Sequence, residues 1–422
     1  MLGSYALLGS VVPRDAFAAA KLREAGAIFI GKTNLSEWAG ARSLQLPRGF
    51  SGRGGQTLCP YYPNADPCAS SSGSGAATAI GLAAGSLGSE TRASIVSPSS
   101  RNNIVGIKPT VGLVSRSGVV PYSSHQDTLG PMCRSVTDAA LLLNFIAGPD
   151  PRDEATLHQP GIVPDYMKAL NKNSLKGARL GVPRSFIRNI KAIEETFNSS
   201  LDILQALGAE IVDHADFPNA EELLTSKAEK LVMAVDFKVD IRKYISELVE
   251  VPTGVKTLAD LIEFNKTHAD LELPAPFYTD QTRFMDAEPA QVDDAYFAAL
   301  AQDFDLGRTR GIDATLAKFN LDAIILPTDA STSYCDANAT YDIQHLVPLG
   351  FQPDDVEILP ATPSPLHSQA PGIPFGIAFM GTAYSEFKLI SYAYAFEQAT
   401  HVRLQRRAYD DAIPRTQLTD VM

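Results

Sequence analysis

Short apolar runs alternate with amphipathic stretches along most of the 422 residues. The apolar run 27–30 follows a helical pattern at 16–25 and predicts a buried strand. Apolar runs at 175–183 and 209–212 predict two strands, and the stretch 192–207 between them predicts a helix. Strands separated by helices favour an α/β fold with a mixed sheet.

The same pattern predicts further elements up to the end of the chain. Ser135 has the position of a helix cap, with Asp138 three residues later as its capping-box partner. The predicted elements after this cap are helices at 135–146, 221–249 and 257–265, one or two helices at 286–318, a strand at 375–380 and a helix at 385–400.

One stretch, 68–110, is rich in serine, glycine and alanine. Such a composition is also typical of a flexible linker. Two features argue against a linker: the small apolar run 76–87 predicts a buried helix, and the run 104–107 predicts a short strand. Serine clusters beside a helix start and a tight loop suit a site where backbone N–H groups stabilise developing negative charge.

These residues resemble the signature of the amidase signature hydrolases. The first half of that signature matches Cys68-Ala-Ser-Ser-Ser-Gly-Ser-Gly-Ala76, and the second half matches Arg92-Ala-Ser-Ile95. Its two key serines fall on Ser70 and Ser94, which are 24 positions apart. The resemblance continues through most of the chain, at the stretches 106–113, 126–131, 139–143, 322–328 and 376–381.

The resemblance implies an amidase signature fold, a mixed twisted β-sheet core covered by helices. It implies a single domain over 1–422, with a serine-rich catalytic core at 1–148, a helical peripheral insertion at 149–320 and a C-terminal part of the core at 321–422. The implied activity is hydrolysis of a small, linear carboxylic amide through an acyl-enzyme, by a Ser–cis-Ser–Lys mechanism that needs no cofactor.

In this mechanism the resemblance gives each serine a role. Ser94 is the nucleophile, and Ser70, preceded by a cis peptide bond, bridges it to the base. The backbone amides of Thr91, Arg92, Ala93 and Ser94 line the oxyanion hole. We therefore expect the hydroxyls of Ser70 and Ser94 to lie within hydrogen-bond reach.

The catalytic lysine of the family has no match in this sequence, because its position precedes a Gly-Ser pair that corresponds to Gly3-Ser4. We expect a chain without that lysine to be a poor catalyst. Arg92 and Ala93 are a second departure, because the family usually has glycine directly before the nucleophile. A catalytically inactive amidase-like protein that binds a ligand or partner is therefore the alternative function.

Composition limits the other possibilities. The net charge of −12 disfavours nucleic acid and anionic membranes as partners. Four cysteines in so long a chain do not form a disulfide scaffold, and no signal peptide or membrane-spanning run is predicted, which favours a cytoplasmic protein. The expected partner is a small-molecule amide, and the sequence does not define an oligomeric state.

Two weaker motifs point to other functions. Residues 26–33 satisfy the P-loop pattern GxxxxGK[ST], but the four intervening residues are the predicted strand itself, so we expect no nucleotide site. The seven histidines show no metal-ligand spacing. His125 and Asp127 follow Ser123 and Ser124, but a Ser-His-Asp triad needs side chains from separate elements.

Overall fold

The computed structural model of the protein describes residues 2–187, 190–328, 343–362 and 365–415. Its strands are β1 (Phe50–Ser51), β2 (Gly55–Gln56), β3 (Gly85–Glu90), β4 (Val105–Lys108), β5 (Thr128–Cys133), β6 (Arg179–Val182), β7 (Glu210–Asp213), β8 (Ala323–Thr328), β9 (Ile343–Phe351), β10 (Leu359–Pro360), β11 (His367–Gln369) and β12 (Pro374–Gly381).

The α-helices account for most of the remaining regular structure. They are α1 (Phe17–Glu24), α2 (Ser72–Ala79), α3 (Val96–Arg101), α4 (Val136–Ile146), α5 (Lys191–Ala206), α6 (Ala220–Thr225), α7 (Ala228–Ser246), α8 (Leu258–Thr267), α9 (Ala269–Glu272), α10 (Thr282–Ala287), α11 (Asp294–Phe304), α12 (Ala314–Phe319) and α13 (Glu386–Thr400). A π-helical stretch, Asp305–Asp313, joins α11 to α12, so the amphipathic run 286–318 is not one straight helix.

The centre of the fold is an eight-stranded mixed sheet in the order β3-β5-β4-β9-β12-β8-β6-β7. Strand β6 pairs parallel with β7 and with β8, whereas every other pair in this order, from β3 to the pair of β12 with β8, is antiparallel. The predicted β-α-β unit is present as β6, α5 and β7. The middle segment thus contributes two strands to the sheet as well as helices, and the division of the chain into three parts stays a prediction.

Both faces of the sheet are covered by apolar packing. On β12, Ile377 and Phe379 join the cluster that includes α4, α5 and α13, whereas Ala378 and Met380 join a second cluster with Phe186 and other residues. Alternate residues of one strand therefore enter two different cores. This explains why 375–380 is a continuous apolar run without alternation.

The predicted buried strand at 27–30 is wrong. Ile28 and Ile30 are 89% and 70% exposed, and no strand contains them. Across the described ranges, residues 28–33 make no backbone–backbone hydrogen bond. A strand needs a neighbouring ladder to satisfy its backbone, and an apolar run alone does not provide one.

The predicted helix at 76–87 is also wrong in its bounds. The helix α2 starts four residues earlier and ends at Ala79, and Leu87 lies in β3. Pairing with β5 holds 85–90 as a strand, although the apolar pattern extended the predicted helix to residue 87. The strand predicted at 104–107 and the capped helix at 135–146 are confirmed as β4 and α4, and Ser135 accepts from the Asp138 amide.

Candidate active site

The first serine loop leads into helix α2. The peptide bond between Ala69 and Ser70 is cis, at the position where the family resemblance implies one. Ser70 is buried, and its carbonyl accepts a hydrogen bond from the Ser36 amide at 3.0 Å. Ser70 is therefore held by its backbone at the base of a buried loop.

The second serine loop, 91–95, connects β3 to α3. Within it Ala93 has φ +61°, the left-handed region that favours glycine, and Ser94 is buried. The side chain of Glu90 folds back under the loop and accepts hydrogen bonds from the amides of Ile95 at 2.6 Å and Val96 at 3.0 Å. Burial raises the pKa of Glu90, while Lys108 and these amides oppose the rise.

The two loops are joined through their backbones. The Ser71 amide donates to the Ser94 carbonyl at 3.1 Å. The Ser71 hydroxyl also accepts from the Ser89 amide at 3.2 Å, which ties the first loop to the end of β3. These bonds place the segments that carry Ser70 and Ser94 side by side.

The hydroxyl of Ser94 donates to the Arg92 carbonyl at 3.3 Å, within its own loop. In the described part of the chain no hydrogen bond joins this hydroxyl to that of Ser70. The direct contact of the two hydroxyls stays a prediction.

The second loop also holds backbone donors. Among the described residues, the amides of Thr91 and Ser94 donate to no protein group, although both residues are buried. The Thr91 side chain is fixed, because its hydroxyl lies 2.5 Å from Asp127, whose pKa burial raises to about 6. Buried amides without partners are rare, and they suit an anion or a developing oxyanion.

Ala93 and Arg92 contribute differently to this loop. The Ala93 amide contributes to stabilising the Glu90 carboxylate, and its role as an oxyanion donor stays a prediction. The Arg92 guanidinium forms an ion pair of 2.7 Å with Glu229 on α7. The ion pair was not predicted from the sequence, because Glu229 lies far along the chain.

His125 does not form a serine triad. Its Nδ1 lies 2.9 Å from Asp236, and the Ser123 hydroxyl donates to the same carboxylate oxygen at 2.6 Å. Tyr296 donates to the other oxygen of Asp236 at 2.7 Å. Serine and histidine thus share an acceptor instead of bonding to each other, while Asp127 is used by the Thr91 loop.

Three lysines, Lys21, Lys32 and Lys108, lie near the serine stretch in sequence, and only Lys108 of these three is buried. Lys108 ends β4 with 1% of its surface exposed, and its charge acts on Glu90 and Glu386. Lys21 pairs with Glu24 on the surface of α1, and Lys32 is exposed. In the described ranges no group of His, Cys, Asp and Glu has metal-site geometry, and no helix there has the length and apolarity to cross a membrane.

Comparison with known proteins gives consistent matches. A family model described as Amidase matches residues 1–390. A putative amidase of Arthroderma benhamiae is 41% identical over 95% of this chain and 68% of its own length. A probable amidase of Arabidopsis thaliana is 39% identical over 95% of this chain and 73% of its own. The crystal structure of native peptide amidase from Stenotrophomonas maltophilia has a TM-score of 0.85 and 37% identity, and the match covers 97% of this chain and 81% of that one.

Proposed function

This chain belongs to the amidase signature family and has its fold, and we propose that it hydrolyses a linear carboxylic amide with Ser94 as nucleophile. One observation carries the proposal. The Ser71–Ser94 backbone bond joins two buried serine loops, and the amides of Thr91 and Ser94 have no partner among the described residues. A nucleophile and oxyanion donors on one rigid loop are the elements that acyl transfer needs.

The proposed first step forms an ester. The Ser94 oxygen attacks the amide carbon, and the carbonyl oxygen becomes an oxyanion held by the amides of Thr91 and Ser94. Ser70 passes the Ser94 proton to a base, and the proton then goes to the leaving amine as the C–N bond breaks. Water attacks the ester in the second step, which releases the carboxylic acid and returns the proton to Ser94.

The general base of the family has no corresponding residue in this sequence. The family resemblance gives that role to a lysine, and no residue of 1–422 occupies its position. Lys108 is buried beside the second loop, but its charge is already engaged with Glu90 and Glu386. We therefore propose that full activity requires a lysine from outside residues 1–422, at the position that the family resemblance gives to the base.

The substrate class follows from the family and from one of its members. The structurally similar Stenotrophomonas protein is a peptide amidase. We propose that the substrate here is likewise a small molecule with a linear carboxylic amide, and the terminal amide of a short peptide is the first compound to test. The mechanism uses no metal or cofactor.

The test compares two proteins. The first is this chain, and the second carries a family-like N-terminal extension with its lysine. Each is assayed for ammonia release from a dipeptide amide beside its own Ser94→Ala variant. We expect Ser94-dependent turnover in the extended protein and a rate at least about 10³-fold lower in the short one.

A robust, Ser94-dependent rate from the short chain would show that a lysine within 1–422 serves as base. If the extended protein and its Ser94→Ala variant release ammonia at equal rates, Ser94 has no catalytic role. That second result would favour the alternative, an amidase-like protein that binds a ligand without turnover. The ion pair of Arg92 and the conformation of Ala93 are the observations that favour this alternative.

A further inference from the structure

A cavity of about 160 Å³ is lined mainly by helix α7 and by the segment 116–121. Pockets for drug-sized ligands have about 300–1,000 Å³, so this one suits a smaller molecule. Within the described residues, its lining includes neither Ser70 nor Ser94. Asp127 lines the cavity and also accepts from the Thr91 hydroxyl, so the cavity adjoins the second serine loop without being part of it.

Helix α7 presents one polar face to the cavity. Asp240, Lys243, Tyr244 and Glu247, the residue that caps the helix, all line it. Their spacing is i, i+3, i+4 and i+7, which places them along a single face of a helix. The helix therefore brings two acids, one base and a phenol to the same wall.

The two arginines that line the cavity are already neutralised. Arg116 forms an ion pair of 2.6 Å with Asp153, and its guanidinium donates a second bond to the same carboxylate. Arg152 forms an ion pair of 2.8 Å with Asp150. An anionic ligand would have to compete with these carboxylates for the arginines.

The charges that remain in the lining are mostly acidic. Among its described residues outside those pairs, the charged groups are Asp127, Asp240, Glu247 and Lys243. In the described part of the chain, the Asp240 carboxylate has one hydrogen-bonding partner, Ser124, whose amide donates at 2.7 Å. Burial raises the pKa of Asp240, and the charge of Asp236 adds to the rise. A bound cation would stabilise these carboxylates, whereas an anion would be repelled.

The cavity also offers contacts for a short carbon chain. Val119, Pro121 and the side chain of Tyr244 belong to its lining. Aliphatic side chains give an alkyl group dispersion contacts, and an aromatic ring attracts an ammonium group through its negative face. The lining thus combines carboxylate acceptors with surfaces that suit an alkylammonium ion.

We propose that this cavity binds a small primary alkylammonium ion, with a chain of about four to six carbons. The ammonium group binds at Asp240 and Asp127, and the alkyl chain packs against Tyr244. Lys243 forms no ion pair with any described residue, and its charge opposes this binding. This binding site lies outside the proposed catalytic machinery, so it is a function beyond amide hydrolysis.

The test titrates the purified chain at pH 7 with isopentylamine, and separately with isopentanol and isovalerate. The alcohol and the acid share the carbon skeleton of the amine but lack its positive charge. Ligand-observed NMR at low ionic strength measures binding, because salt screens exposed charges. We expect the amine to bind at least about tenfold more tightly than either analogue. Equal binding of amine and alcohol, or no saturable amine binding below about 20 mM, would overturn the proposal.

Three variants locate the binding site. Asp240→Asn keeps an oxygen that accepts from Ser124 but removes the charge, so it should weaken amine binding by about fivefold or more. Lys243→Ala removes the opposing charge at an exposed position and should tighten binding by about two- to threefold. Asp202→Asn removes an exposed acid from a different groove, on α5, and should leave the Kd unchanged.

The two charge changes on α7 have opposite expected signs, so a general loss of folding cannot imitate the result. If Asp240→Asn binds the amine as tightly as the wild type, or if Lys243→Ala does not bind it more tightly, the proposal is overturned. Amine binding is measured without turnover, so this result is separate from the test of amide hydrolysis.

Discussion

Two clusters in this molecule combine serine with a buried carboxylate, and they use it in different ways. Around Ser94, the Glu90 carboxylate binds backbone amides and leaves the serine hydroxyl with a single bond inside its own loop. Around Ser123, the Asp236 carboxylate takes the serine hydroxyl itself. Ser123 therefore lies next to a carboxylate and a histidine without being activated, because it donates its proton to Asp236 and no base accepts it for catalysis.

The two clusters also differ in the charge of their polar groups. In the Ser123 cluster, the hydrogen bond from His125 to Asp236 raises the pKa of the imidazole, so the histidine tends to hold its proton as a partner of the carboxylate. In the Ser94 loop the unpartnered groups are neutral amides, which stabilise charge only when it develops. We infer that the first cluster is structural and the second catalytic.

The largest expected effect is on kcat, and it tests directly whether the Ser94 loop and the Ser123 cluster have different roles. In the extended, lysine-bearing protein, Ser94→Ala should lower kcat by at least about 10³-fold, because the nucleophile is lost. Ser123→Ala should leave kcat within about twofold and lower the free energy of unfolding by about 1–3 kcal/mol, since Asp236 loses a buried donor. Steady-state kinetics and urea unfolding of both variants measure this, and a reversed order of kcat values would exchange the roles of the clusters.

The second prediction concerns Asp303 beside the Ser123 cluster. Burial, with the charges of Glu229 and Asp236, raises the pKa of Asp303 to about 8. The folded state then binds one proton more than the unfolded state between pH 4 and 8, so the free energy of unfolding falls as pH rises through that window.

Asp303→Asn should remove this component, which amounts to about 2 kcal/mol between pH 6 and 8. Urea unfolding of wild type and variant at several pH values measures the difference. Glu37, whose pKa burial also raises to about 8, contributes equally to both proteins and cancels. Parallel stability curves for the two proteins would show that Asp303 is ionised in the fold.

The sequence predicted some parts of the candidate site and of the fold better than others. The resemblance assigned Ser70 and Ser94 to two loops, and the Ser71–Ser94 backbone hydrogen bond joins these loops, while the contact of the two hydroxyls stays a prediction. The Arg92–Glu229 pair escaped prediction because Glu229 lies far along the chain. The Glu90 contacts are local, but they depend on how the loop folds back, which the hydrophobic pattern does not specify. The prediction of a strand at 27–30 failed for a related reason. An apolar run has a preference for β-structure, but a strand also needs a neighbouring strand for its backbone hydrogen bonds.

A smaller effect is expected at Ala93. Its φ of +61° costs an alanine about 1 kcal/mol relative to glycine, so Ala93→Gly should raise the free energy of unfolding by up to that amount. The added backbone freedom of glycine in the unfolded state offsets part of the gain. Chemical denaturation tests this, and a clear loss of stability would indicate that the methyl group packs usefully in the loop.

The smallest effect is expected at Lys32. Its side chain is exposed and lies in no phosphate-binding loop, so Lys32→Ala should change the free energy of unfolding by less than about 0.5 kcal/mol. Isothermal titration should detect no ATP binding by either protein. Micromolar ATP binding that disappears in Lys32→Ala would restore the P-loop hypothesis for 26–33.

The most direct measurement of the central claim is to trap the ester. The extended protein is mixed with an activated ester substrate, quenched in acid, digested and analysed by mass spectrometry. We predict an acyl group on the peptide that contains Ser94, and its absence in Ser94→Ala. An acyl group on Ser123 or Ser70 instead, or turnover with no adduct on the Ser94 peptide, would contradict the account.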